Sequence, residues 1–216
     1  MENVLMSENT NVKLASRKDL HIARKIWHVL GVAFILWLYS TLPLKVSLGL
    51  CSAAAAFVIT CDYLRMRFAF FQKIVLFFMR PFMREEEKKH FTGLSYMLAG
   101  FWILFLFCSE EVVTLSLLFV MLGDPIASWF GSKYGRDKIG DKSLQGFMAC
   151  FAICFLISVG FLYYTNFSAD RLLYVALFAG LIGGVAELIQ IPKVDDNFSM
   201  PVISGILLSL LFYLSV

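Results

Sequence analysis

Apolar residues fall into long runs along the chain, separated by short polar segments. A helix needs about 20 apolar residues to cross a bilayer core. The runs predict seven spans: Ile26–Leu42, Leu44–Cys61, Gly93–Cys108, Val112–Phe130, Leu144–Thr165, Leu172–Ile191 and Ser199–Val216. Pro43 marks a tight turn between the first two, and Gly93–Cys108 is short enough that its polar flanks are expected in the membrane interface. Arg67–Met83 is apolar but carries Lys73 and Arg80, so it is read as a helix lying in the interface, with Phe68, Phe70, Phe71, Phe77 and Phe78 toward lipid. Counting it as a span would reverse the topology of everything after it.

The expected fold class is therefore all-α, a polytopic membrane helix bundle of about seven transmembrane helices plus one interfacial helix. Residues 1–25 form a polar, basic segment, and residues 26–216 form one membrane-embedded domain with no internal repeat or linker. Composition agrees: 59% of residues are hydrophobic, 16% are charged, and mean hydropathy is +0.75. Such a chain lacks the polar surface that a soluble domain requires. Residues 1–19 are polar, so no cleavable signal is expected.

Charge adds an orientation. With the amino terminus inside, all of the 19 Lys and Arg residues except Lys45 and Arg171 fall on the inner side. A cytoplasmic amino terminus and a carboxyl terminus on the opposite side are expected. The five cysteines, Cys51, Cys61, Cys108, Cys150 and Cys154, lie in or beside apolar segments and are read as packing residues, with neither a disulfide framework nor a zinc site.

The polar residues that carry chemistry cluster on the inner side. Gly123-Asp124-Pro125-Ile126-Ala127-Ser128 places an acid and a proline near the inner end of the fourth span. A carboxylate there must be paired or wet, and proline cancels a helix hydrogen bond, so a broken helix lining a cavity is expected. Gly131, Gly135, Arg136, Lys138, Gly140, Lys142, Ser143 and Gly146 follow. Glycines that admit backbone N–H groups to a ligand, several cations and a capping Ser143 are the parts of a phosphate cradle. Gly135-x4-Gly140-x-Lys142-Ser143 has one residue more than a P-loop and no preceding strand, so it resembles that chemistry without that fold. A basic loop that only fixes topology is the alternative reading.

Arg24-Lys25-x-x-His28 opens the first span. Arg24 and Lys25 suit either interfacial anchoring or phosphate binding, whereas His28 lies deeper and requires a polar partner. Glu85-Glu86-Glu87-Lys88-Lys89-His90 reads mostly as a solvated face, followed by Thr92 and Gly93 as candidate substrate contacts. Glu187 is an intramembrane acid beside Gly183-Gly184, which allows close helix approach. Asp195-Asp196-Asn197 supplies the hard oxygen ligands that Mg²⁺ prefers. Acids and cations on one face suit a nucleoside triphosphate with its magnesium.

These motifs resemble the dolichol kinase, phytol kinase and CTP-dependent diacylglycerol kinase family from Arg24 nearly to the carboxyl terminus. The family is itself similar to phosphatidate cytidylyltransferases. The resemblance implies transfer of the γ-phosphate of CTP to the hydroxyl of a membrane lipid alcohol, of the polyprenol, phytol or diacylglycerol class. In that reading Asp124 orients or deprotonates the hydroxyl. Arg24, Lys25, Gly135, Arg136, Lys138, Gly140, Lys142 and Ser143 serve the phosphates, and Lys142 shares the catalytic role. Glu187, Asp195, Asp196 and Asn197 serve Mg²⁺; His28, Thr92, Gly93 and Ser128 are further candidates. The expected partners are CTP or ATP, the lipid and the bilayer, with no nucleic acid. A cytidylyltransferase acting on a lipid phosphate, a small transporter and a structural scaffold are the alternatives.

Overall fold

The computed structural model describes residues 22–79, 82–83, 86–88 and 90–215. The amino-terminal segment with Lys13, Arg17 and Lys18, together with Arg80, Arg84, Glu85, Lys89 and Val216, lies outside the described residues.

The described chain is almost entirely helical: α1 Ile22–Thr41, α2 Leu44–Arg67, α3 Ala69–Met79, a short 3₁₀ turn Glu86–Lys88, α4 Gly93–Phe107, α5 Glu110–Leu118, a π-helical turn Phe119–Gly123 and α6 Asp124–Tyr134. A hairpin pairing β1 Lys138–Ile139 with β2 Lys142–Ser143 leads into α7 Leu144–Tyr164, α8 Ala169–Leu188 and α9 Asp196–Ser215. Among the described residues, five helical stretches are long and apolar enough to cross a membrane: α2, the continuous run Glu110–Tyr134, α7, α8 and α9. The count of seven spans rests on α1, which carries Arg24, Lys25 and His28 in its first turns, and on α4, which has 15 residues; neither is among those five.

The core lies where α4, α5, α7, α8 and α9 meet, around Phe101, Leu104, Leu115, Phe119, Cys154 and Leu208, all nearly inaccessible. Gly180, Gly183 and Gly184 let α8 lie directly on α7: a Cβ at Gly183 would come within 2.6 Å of Cys154 Sγ. Outside the core many large apolar side chains are exposed. Phe57, Phe77, Phe107 and Leu214 are each at least 70% exposed, which water would penalise and hydrocarbon would not.

Two departures from the periodicity have separate local causes. α2 continues past Cys61 to Arg67, because Asp62 and Arg65 sit one turn apart and neutralise each other at 2.6 Å. Residues 124–134 form a helix rather than a break, with Pro125 in the first turn of α6. The irregularity falls just upstream as the π turn, with Asp124 N–H donating to Phe119 O. Phe68, between α2 and α3, and Phe70, Phe71, Phe77 and Phe78 of α3 are exposed, with Leu76 buried.

Candidate active site

Pro125 has no N–H, so the π register leaves the carbonyl of Val120 without the donor that position 125 would normally supply. His28 of α1 takes that place: its Nε2 is 3.1 Å from Val120 O and therefore carries the hydrogen. The same nitrogen lies 4.0 Å from Asp124 Oδ2. The polar partner that His28 requires is thus the π turn itself, and the contact ties α1 to the start of α6 beside Asp124.

Lys142 of β2 reaches two acids from different elements. Its Nζ is 2.8 Å from Glu187 Oε1 on α8 and 2.8 Å from Asp196 Oδ2 at the start of α9. Burial alone would depress the Lys142 pKa; the carboxylates of Asp196, Glu187 and Asp124 outweigh it and hold the ammonium well above the usual lysine range. Glu187 is buried, and its second oxygen, Oε2, has no hydrogen-bond partner among the described residues.

The hairpin that carries Lys142 is fixed at both ends. Gln145 Oε1 accepts from the backbone N–H groups of Arg136 and Asp137, while its Nε2 donates to Asp137 Oδ2 at 2.6 Å. At the tip Gly140 adopts φ +60°, a conformation glycine takes without strain, and Asp141 N–H points to Gln190 Oε1 at 3.4 Å. Ser143 caps α7 by accepting from Gly146 N–H, as its place in the sequence predicts. Gly131, Gly135 and Gly146 all crowd this serine, where a Cβ at any of them would lie within about 3.3 Å of Ser143 Oγ. In the structure these glycines let α6 pack closely against α7.

A cavity of about 1240 Å³ lies between these elements, lined by residues that include Arg24, Lys25, His28, Asp124, Ser128, Lys138, Lys142, Ser143, Glu187, Asp195, Asp196 and Asn197. Residues far apart in sequence thus meet on one site. Gly135, Arg136, Gly140, Thr92 and Gly93 are not among the lining residues. Thr92 instead donates from both N–H and Oγ1 to Asp62 Oδ2, and Gly93 lies against the side-chain ends of Asn197 and Arg24. Asp195 Oδ1 accepts from Asn197 N–H and so closes the start of α9.

Two features escaped the sequence reading. Glu87, expected on a solvated face, is buried and accepts from Arg24 Nη1 at 2.8 Å and from Gly93 N–H at 3.2 Å. Asp62 and Arg65, only 3% and 2% exposed, form a buried knot. Asp62 Oδ2 also accepts from Ser95 Oγ at 2.6 Å, and Arg65 donates to the carbonyls of Lys88 and His90. An acid and an arginine three residues apart at the end of an apolar run is the signal that could have found the second.

Among the described residues no group of three or more His, Cys, Asp or Glu side chains closes around a point suited to a metal ion. The donors nevertheless fit a magnesium ion that arrives with phosphate oxygens of its own, since such ions commonly take only one or two protein carboxylates. Asp196 faces the cavity with its side chain 44% exposed, and Glu187 Oε2 is an unsatisfied acceptor beside it.

No family model matches the chain, and no solved structure matches it. Individual proteins do. CTP-dependent diacylglycerol kinase 1 of Schizosaccharomyces pombe is 31% identical over 165 residues, covering 70% of this chain and 75% of that protein. The protein of the same name in Saccharomyces cerevisiae is 28% identical over 211 residues, covering 87% of this chain and 72% of its own length. A protein named "Probable phytol kinase 1, chloroplastic" in Glycine max is 36% identical over 103 residues, 43% of this chain and 34% of that protein. These similarities place the chain in the family of dolichol kinases, phytol kinases and CTP-dependent diacylglycerol kinases.

Proposed function

We propose that this lipid kinase transfers the γ-phosphate of CTP to the hydroxyl of a membrane lipid alcohol, giving CDP and a lipid phosphate. The observation that carries the reading is the meeting of Asp124, Lys142, Asp196 and several further cations in one cavity at the ends of membrane-spanning helices. The relatives named for CTP-dependent diacylglycerol phosphorylation support the donor and the acceptor class.

Phosphoryl transfer is mostly a matter of positioning and charge neutralisation. Asp124 orients the lipid hydroxyl and accepts its proton as the oxygen attacks the γ-phosphorus; the bond from that phosphorus to the β-bridging oxygen breaks, and CDP leaves with the electron pair. Lys142 supplies a positive charge that Glu187 and Asp196 hold in place before any ligand arrives. Lys25 and Lys138 face the same space for the remaining phosphate charge. Asp196, Asn197 and Glu187 Oε2 would hold Mg²⁺, which when bound neutralises further phosphate charge. The inward collection of cations orients the amino terminus and the cavity toward the cytoplasm, with the carboxyl terminus opposite.

Incubation with γ-labelled and α-labelled CTP or ATP and a panel of polyprenol, phytol and diacylglycerol tests the reading. Label from the γ position in the lipid is the expected result. Label from the α position instead would mark a cytidylyltransferase and overturn it.

A further inference from the structure

We propose that Lys193, on the connection between α8 and α9, binds the polyphosphate of the donor nucleotide; the proposal rests on reading the cavity as the nucleotide site. Among the described residues, five lysines and arginines line that cavity: Arg24, Lys25, Lys138, Lys142 and Lys193. Two are already committed. Arg24 is bonded to buried Glu87, and Lys142 to Glu187 and Asp196. Each acts from within an ion pair that offsets part of its charge before a ligand arrives. The Lys193 ammonium has no carboxylate partner among the described residues, and its side chain is exposed to the cavity. It is free to meet an incoming anion.

The backbone singles it out further. Lys193 has φ +68°, a left-handed conformation that L residues with a Cβ adopt at a cost and glycine adopts freely. The turn holds it there: Tyr96 Oη of α4 donates to Lys193 O at 3.3 Å, and Val194 N–H donates to Ile191 O at 3.1 Å. A turn that needed only this shape would be better served by glycine. The lysine is accounted for by what its side chain does, and strained backbone of this kind gathers at ligand sites. Its position is also apt, three residues before Asp196, the acid that shares Lys142. The connection therefore brings a free cation to the cavity wall beside the acids proposed to hold the metal.

The test compares full-length wild type, Lys193→Gly, Lys193→Asn and Lys193→Arg in detergent, measuring binding of cytidine and of CTP with Mg²⁺ together with the melting temperature. Glycine and asparagine both tolerate the left-handed backbone and lack the charge. We expect CTP to bind about tenfold or more weakly to both neutral variants, the scale of one charge-assisted hydrogen bond. Cytidine binding stays unchanged, Lys193→Arg retains affinity, and Lys193→Gly melts no lower than wild type. Wild-type CTP affinity in the neutral variants, or an equal loss for cytidine, overturns the proposal and leaves Lys193 a solvated cation. Absence of CTP and ATP binding in the wild type is a different result: it removes the nucleotide reading, and this proposal with it.

Discussion

Lys142→Met removes a charge while keeping most of the side chain's length, so it isolates the ion pairs at the centre of the cavity. One pair of unit charges at 2.8 Å attracts by about 6 kcal/mol at an effective dielectric of about 20, before desolvation is counted. The two acids are not equivalent. The Asp196 side chain is 44% exposed, so solvent screens it and its share falls to about 0–1 kcal/mol. The Glu187 side chain is 4% exposed and would be left as a buried, uncompensated charge, which costs about 3–5 kcal/mol. The expected loss of unfolding free energy is therefore about 3–5 kcal/mol, dominated by Glu187. Adding Glu187→Gln removes the stranded charge and recovers most of the loss, without restoring phosphoryl transfer. Denaturation in detergent micelles followed by tryptophan fluorescence reads all three proteins. A single variant within 1 kcal/mol of wild type, or a double variant no better than the single, refutes the reasoning. The pH dependence adds a check. The Lys142 pKa is raised in the fold, so its contribution is complete below the unfolded value of about 10.4 and is lost only as pH rises through the higher folded value. The stability gap between wild type and Lys142→Met should stay flat from about pH 7 to 10.

Asp62→Ala strands the buried Arg65 guanidinium and frees Thr92 and Ser95, so it should destabilise by about 3–5 kcal/mol in the same unfolding assay. His28→Ala leaves Val120 O without its donor and should cost about 1–3 kcal/mol; adding Pro125→Ala supplies an N–H at that position and should recover part of it. Gly183→Ala places a Cβ 2.6 Å from Cys154 Sγ and 2.7 Å from its Cβ, forcing α7 and α8 apart at about 1–3 kcal/mol, and Cys154→Gly in the same chain should relieve it.

Long apolar runs were legible because hydropathy needs no tertiary context, and so was the cap at Ser143, whose partner Gly146 is three residues away. The close approach at Gly183-Gly184 was legible for the same local reason. The π turn was not, because its cause is joint: Pro125 removes a donor, and His28, 92 residues from Val120, replaces it. Glu87 looked solvated because its neighbours are charged, and only the fold brings Arg24 to it. The sequence marks Lys142 as a candidate cation but not as the link between Glu187 and Asp196, since acids 45 and 54 residues away give no periodic signal. The close packing of Gly131, Gly135 and Gly146 around Ser143 was not legible, because it depends on how α6 meets α7.

The central claim is that the cavity binds nucleotide and transfers its γ-phosphate with Asp124 at the reacting hydroxyl. Asp124→Asn keeps the size of a residue whose side chain is 26% exposed and removes its charge. The decisive measurement is a single turnover with γ-labelled CTP and lipid alcohol, with CTP binding recorded on the same purified protein. The account predicts binding within a few-fold of wild type and transfer reduced by about 10²–10⁴. Transfer at the wild-type rate in Asp124→Asn would contradict it.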